Sequence, residues 1–209
     1  MNKESKLQIG AWALSTITVL AAFIAWGQNN EWKLLHISSY NLFPLFGLVA
    51  FSLMWSHYIV AVLRQHYNVD KSVTKKYFEL TSHAVLLFIV LHPGLLIWQL
   101  FRDGFGLPPG SYLHNYIAPN SAWAALLGTV SFFIFIGYEL RRKYGKKSWW
   151  KYMQYLSDFA MIAIFVHALR LGRELNPDWF RVIWYVYGVS LLFALGYIYK
   201  SKIKKVTNS

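Results

Sequence analysis

Long apolar runs separated by short polar segments recur along the chain. Six such runs cover residues 9–26, 41–63, 78–101, 121–140, 152–171 and 180–199. Each is close to the roughly 20 residues that an α-helix needs to cross the hydrocarbon core of a bilayer. The pattern predicts an all-α, polytopic membrane bundle of six transmembrane helices. Because the connections are short, residues 1–209 are predicted to form a single domain.

Composition narrows the class of protein further. The chain is 56% hydrophobic, 19% aromatic and only 14% charged, which does not describe a fully water-exposed surface. The predicted partner is therefore the lipid bilayer. The sequence contains no cysteine, which excludes disulfides, c-type haem attachment, cysteine-ligated iron–sulfur clusters and thiol catalysis.

The formal net charge of +12 is distributed unevenly between the two ends of the predicted helices. Of the 21 Lys and Arg residues, only Lys33, Arg102, Arg170, Arg173 and Arg181 fall at one end. Under the positive-inside rule this asymmetry places the N and C termini in the cytoplasm and predicts a multi-pass protein of the cell membrane. The basic residues form no single patch, so no nucleic-acid partner is predicted.

Two histidines are predicted to lie at the same depth in the membrane. His92 follows Lys76 by sixteen residues, and His167 follows Lys151 by sixteen residues. With a rise of about 1.5 Å per residue, both imidazoles lie roughly 24 Å from the basic end. Such a pair can supply both axial ligands of a haem iron, so the two histidines are predicted to bind haem b. The alternative is that each imidazole is simply hydrogen-bonded to a neighbouring carbonyl or hydroxyl group.

Two arginines follow the second histidine. Arg170 and Arg173 come three and six residues after His167, which brings Arg170 to nearly the same helical face, one turn further along. They are candidates for pairing with the propionates of a bound haem. The alternative is that their charged ends simply extend to the membrane surface.

These residues resemble the ferric-reductase-like transmembrane family, which includes NADPH oxidases, ferric reductases and the haem subunit of bacterial methionine sulfoxide reductase. The resemblance covers roughly residues 46–171 and is carried by His92-Pro93-Gly94 and Lys147-Ser148-Trp149. It implies four histidines on two helices, in pairs about thirteen residues apart, that hold two stacked haems. Here Glu79 and Gln154 stand thirteen residues before His92 and His167. The resemblance therefore implies one haem, bound by His92 and His167 near the outer face.

A second polar layer is predicted nearer the basic end. His57, His83 and Asp158 each lie seven residues from a basic residue, or about 10 Å along the helix axis. His57 and His83 are candidate ligands of a second haem at shifted positions. Alternatively, Asp158 forms a proton-linked quinone site with His83 or His57, or makes a structural hydrogen bond.

The predicted function is that of a membrane b-type cytochrome. It would pass electrons through the bis-histidine haem to an external acceptor, or receive them from a quinol, with a redox partner protein as a further hypothesis. No nucleotide-binding motif is present in the sequence, so no built-in NADPH or flavin domain is predicted. The alternative function is a haem-free transporter or a proton or ion channel whose path is lined by intramembrane His and Asp residues.

Overall fold

The fold was analysed in a computed structural model, which describes residues 2–144 and 152–207. The described residues form seven α-helices and no strand. In chain order these are α1 (Lys3–Asn29), α2 (Ser39–His66), α3 (Lys75–Arg102), α4 (Gly110–Asn115), α5 (Ala122–Tyr144), α6 (Tyr152–Leu171) and α7 (Asp178–Thr207). Short 3-10 segments lie at Leu34–His36, Lys71–Thr74, Pro119–Ser121 and Arg173–Leu175.

All helices except the short α4 are long and apolar enough to cross a membrane. The six predicted runs are therefore confirmed as helices, and the chain is a multi-pass membrane protein. Most of the helices extend several residues beyond the apolar runs, because polar residues at membrane interfaces still continue a helix. The helix α4 was not predicted, since its six residues lie in a segment rich in glycine and proline.

The centre of the bundle is α2. Every residue from Leu48 to Ser56 is buried, although a helix packed on one side only would expose about half of such a run. Its neighbours are α1 and α3 on either side, with α6 and α7 also in contact. The helix can be enclosed because its side chains in this stretch are apolar or small hydroxyls, including Ser52 and Ser56.

Aromatic rings join α2 to α7. The ring centroids of Phe51 and Trp184 lie 4.4 Å apart, and those of Trp55 and Tyr187 also lie 4.4 Å apart. The indole N–H of Trp55 donates a hydrogen bond to the Ser190 hydroxyl at 2.9 Å. These contacts combine area burial with specific ring geometry, and they fix the position of α7 against the central helix.

Four of the long helices form two closely packed pairs, α2 with α3 and α5 with α6. We call the end of the bundle with the segments 30–38, 103–121 and 172–177 the loop end. We call the opposite end, where α1 begins and α7 finishes, the terminal end. Hydrogen bonds close each end: Tyr40 donates to Asp103 at the loop end, and Ser201 donates to Gln65 at the terminal end.

The aromatic contact between α2 and α7 predicts a large effect of Trp184→Ala. Trp184 is 1% exposed, so the substitution leaves a cavity in the core. We expect the free energy of unfolding in detergent to fall by about 3–5 kcal/mol. Phe193→Ala, on the same helix but 77% exposed, is the matched control and is expected to change stability little. Equal thermal destabilisation of the two variants would contradict this account of the core.

Candidate functional site

The two histidines predicted to share a depth meet inside the bundle. The ring centroids of His92 on α3 and His167 on α6 lie 6.4 Å apart, and the ring planes are nearly perpendicular at 87°. Both side chains are partly buried. The structure thus brings one imidazole from each helix pair to a common point.

Each imidazole is held by a backbone carbonyl of the helix that precedes its own. The Nδ1 atom of His92 lies 2.7 Å from the carbonyl oxygen of Phe43, and Nδ1 of His167 lies 2.8 Å from that of Ala124. A carbonyl can only accept, so in both rings Nδ1–H is the donor. A neutral ring protonated at Nδ1 carries its lone pair on Nε2. Both histidines are therefore fixed in the tautomer that binds a metal through Nε2.

Two glycines make room for these rings. A Cβ atom added at Gly47 would lie 2.7 Å from Nδ1 of His92, and one added at Gly128 would lie 2.7 Å from His167. Gly47 follows Phe43 by four residues, and Gly128 follows Ala124 by four. The same local construction thus occurs twice, once in each helix pair. The sequence analysis missed both glycines, because their role depends on a helix that is distant in sequence.

The site offers two histidine ligands from the described residues. Within residues 2–144 and 152–207, no three His, Asp or Glu side chains converge as a metal-binding group. A structural zinc ion takes four protein ligands. A two-histidine site instead suits a metal that brings its own equatorial ligands, as the iron of a haem does.

The two arginines predicted near the site differ in their surroundings. Arg173 extends toward α1, where its Nη2 atom lies 3.3 Å from Oδ1 of Asn30 and 3.7 Å from Oε1 of Glu174. Arg170 is exposed and makes no hydrogen bond or ion pair within the part of the chain that the structure describes. Of the two, only Arg170 leaves its guanidinium available for another anion.

A second candidate region lies between the His92–His167 pair and the terminal end. A half-open cavity of about 360 Å³ is lined by residues of α2, α3, α5, α6 and α7. His57 and Asp158 both line it. His83 does not line it: its side chain is exposed, and Nδ1 lies 2.6 Å from the carbonyl oxygen of Glu79 on its own helix. The structure therefore brings together two members of the predicted polar layer and leaves the third outside.

Asp158 makes structural hydrogen bonds, which is one of the alternatives that the sequence left open. Its carboxylate accepts from the phenols of Tyr58 on α2 at 2.6 Å and Tyr199 on α7 at 2.5 Å. The Nε2 atom of His57 contacts the Thr81 hydroxyl at 2.6 Å. Because phenols are common in apolar helices, the sequence did not distinguish Tyr58 and Tyr199 as partners of a buried carboxylate.

The two residues that replace histidines of the family pattern also separate. Gln154 lines the cavity, whereas Glu79 is exposed and lies 3.8 Å from Lys75 Nζ. The Lys147-Ser148-Trp149 motif and the depth marker Lys151 lie outside the described residues.

A buried acid at the loop end was not predicted. Glu174 is 2% exposed and lies within 3.4 Å of the Asn29 amide, next to Arg173. Burial raises the pKa of its carboxyl above the ordinary value of 4.5. In sequence, Glu174 follows Arg173 in a short connection between two helices, which is typical of an exposed position.

This raised pKa predicts a pH-dependent stability. The folded protein holds the Glu174 proton more tightly than the unfolded chain, so the contribution is present at low pH and is lost as pH rises above 4.5 through the folded pKa. We expect the melting temperature of the wild type to fall more between pH 4.5 and 7 than that of Glu174→Gln, which stays neutral. Parallel pH profiles for the two proteins would refute this role of Glu174.

The fold and the paired imidazoles define a multi-pass membrane protein with a two-histidine site between two helix pairs. Comparison with protein-family models, curated proteins and solved structures finds no match to this chain.

Proposed function

We propose that the protein is a membrane b-type cytochrome that binds one haem between His92 and His167. The observation that carries the proposal is the joint geometry of the two rings. Two imidazoles on opposite sides of one metal ion, each with a metal–nitrogen bond of about 2 Å, have ring centres roughly 6–6.5 Å apart. The observed centroid separation is 6.4 Å.

The hydrogen bonds of the two rings support the same assignment. Metal-binding histidines ordinarily donate their second ring N–H to a carbonyl or carboxylate, which fixes the ring and raises its basicity. Phe43 and Ala124 provide this carbonyl to His92 and His167. A neutral imidazole also costs less than a charged group inside a bilayer, so the site is compatible with its depth.

Haem, when bound, supplies one-electron redox chemistry at its iron. The two imidazoles would occupy both axial positions and leave none for direct binding of oxygen or substrate. Electron exchange with an acceptor outside the site would then proceed without a bond to the metal. Arg170, one helical turn beyond His167, is the proposed partner of a propionate.

We also propose the membrane in which the protein lies and its orientation there. The excess of basic residues at the terminal end supports a cell-membrane protein with both termini in the cytoplasm. The loop end, toward which Arg170 extends from the site, then faces outward. The proposed electron acceptor is an external molecule or a redox partner protein, as the resemblance to the ferric-reductase-like family also implies.

Substitution of either histidine is expected to abolish haem binding. The purified wild type should show a Soret band and, when reduced, sharp α and β bands typical of bis-histidine ligation, with one haem per chain. His92→Ala and His167→Ala should each lose this spectrum, because one imidazole alone holds the iron weakly. His83→Ala is the control, since this exposed side chain lies outside both candidate regions. A folded, colourless wild type would contradict the proposal and favour the transporter or channel alternative.

The glycines next to the rings give a second, independent test. Gly47→Ala and Gly128→Ala should displace the imidazoles without removing them, because the new Cβ atoms would lie 2.7 Å from ring atoms. We expect haem affinity to fall by about 10-fold or more and the reduction potential to shift. Gly196→Ala on α7, where an added Cβ meets no atom within 4 Å, is the matched control. Unchanged affinity and potential in both site variants would argue against ligation by these rings.

A further inference from the structure

The cavity on the terminal side of the histidine pair has the character of a ligand site. Its volume of about 360 Å³ falls within the range of about 300–1,000 Å³ found for small-molecule sites. Polar side chains are costly in the membrane-spanning part of a bundle, and yet several line this one cavity. A concentration of polar groups around this half-open cavity favours an occupant with polar groups of its own over lipid chains.

The polar groups enter from both helix pairs. His57 on α2 and Ser82 on α3 come from one pair, and Gln154 and Asp158 on α6 come from the other. Tyr138 and Glu139 on α5 add further polar groups, and apolar side chains such as Phe78, Val85 and Met161 form much of the remaining wall. The cavity therefore suits a flat apolar ring that carries hydrogen-bonding oxygens on opposite edges.

The carboxylate in the cavity wall is held in position. Asp158 is 5% exposed, and each of its oxygens accepts one phenolic hydrogen bond, from Tyr58 and Tyr199. Each carboxylate oxygen has a second lone pair, so Asp158 retains capacity to accept another O–H group. The phenols position an acceptor for a hydroxylated ligand and connect it to α7, whose last turns lie at the terminal end.

The cavity also lies close to the paired histidines. Ile89 lines the cavity and precedes His92 by three residues, or about one helical turn. Met161 lines it and precedes His167 by six residues, or about 9 Å of helix rise. A molecule in the cavity would thus lie next to whatever the two imidazoles hold.

From this arrangement we infer that the cavity binds a quinol, with Asp158 as an acceptor for one of its hydroxyl groups. The claim that the quinol supplies electrons rests on the proposed haem. The claim that the cavity binds a quinol rests on the cavity alone. Oxidation of one quinol breaks two O–H bonds and yields a quinone, two protons and two electrons. The haem held by His92 and His167 would accept these electrons one at a time, and the external acceptor of the proposed function would reoxidise it after each one. Asp158 would accept the two protons in turn, each passing on to water before the next is released.

Binding is tested first without any haem. Decylubiquinone is titrated into the detergent-purified full-length wild type and into His92→Ala, and bound quinone is measured by equilibrium dialysis. We expect saturable binding of one quinone per chain with similar affinity in both proteins. Ser82→Phe, which fills the cavity, should weaken binding by about tenfold or more. Leu87→Phe, on the same helix but with an exposed side chain, is the control and should bind as the wild type does.

Electron entry is tested on the haem-loaded protein by anaerobic mixing with decylubiquinol. We expect Ser82→Phe and Asp158→Asn to slow haem reduction by quinol about tenfold or more, while reduction by dithionite stays as in the wild type. Absence of saturable quinone binding, or binding that Ser82→Phe does not alter, would overturn the inference. A second haem that is lost in His57→Ala would also overturn it, because that haem would occupy the same cavity. A colourless wild type that still binds quinone would instead count only against the proposed function.

Discussion

The structure depends on how polar groups are satisfied where no water is available. Each imidazole of the His92–His167 pair donates Nδ1–H to a main-chain carbonyl of the neighbouring helix, and this bond fixes the ring, its tautomer and the face that it presents. The glycine four residues after each carbonyl allows the ring to approach the backbone. Packing of α2 against α3 and of α5 against α6 is thereby coupled to the orientation of His92 and His167. The geometry of the site is a property of the two helix pairs rather than of the two side chains alone.

The bundle separates two kinds of polar site along its axis. The histidine pair is built from neutral groups with main-chain partners, and no carboxylate among the described residues joins it. The region around Asp158 is different, since a carboxylate, two phenols and the His57–Thr81 contact lie near one internal space. The first arrangement favours binding of a metal by nitrogen. The second favours hydrogen bonding to a ligand that gives up protons. Under the proposed function, the electron carrier and the proton acceptor would lie at different depths of the same chain.

The sequence predicted the helices and the histidine pair more fully than the contacts that hold them. Helix rise alone gave His92 and His167 a common depth, since depth follows from counting residues along straight helices. Rotation about the helix axis and packing between distant helices do not follow from such a count. For this reason His83 was grouped with His57 although it lies on an exposed face, and Tyr58 and Tyr199 were not recognised as partners of Asp158. Glu174 was missed for a related reason, because only the fold shows that Glu174 and Leu175 are buried within an otherwise partly exposed connection.

The division of the site between two helix pairs has a consequence for how the protein is made. The first imidazole and its carbonyl are complete once α2 and α3 have entered the bilayer, and the second set is complete only after α6 has followed α5. During synthesis the two halves therefore mature at different times, and the site closes only when they associate laterally. A molecule bound by both imidazoles would link the helix pair that is inserted first to the pair that is inserted later. Its supply during synthesis would therefore influence how much of the newly inserted protein reaches the assembled fold.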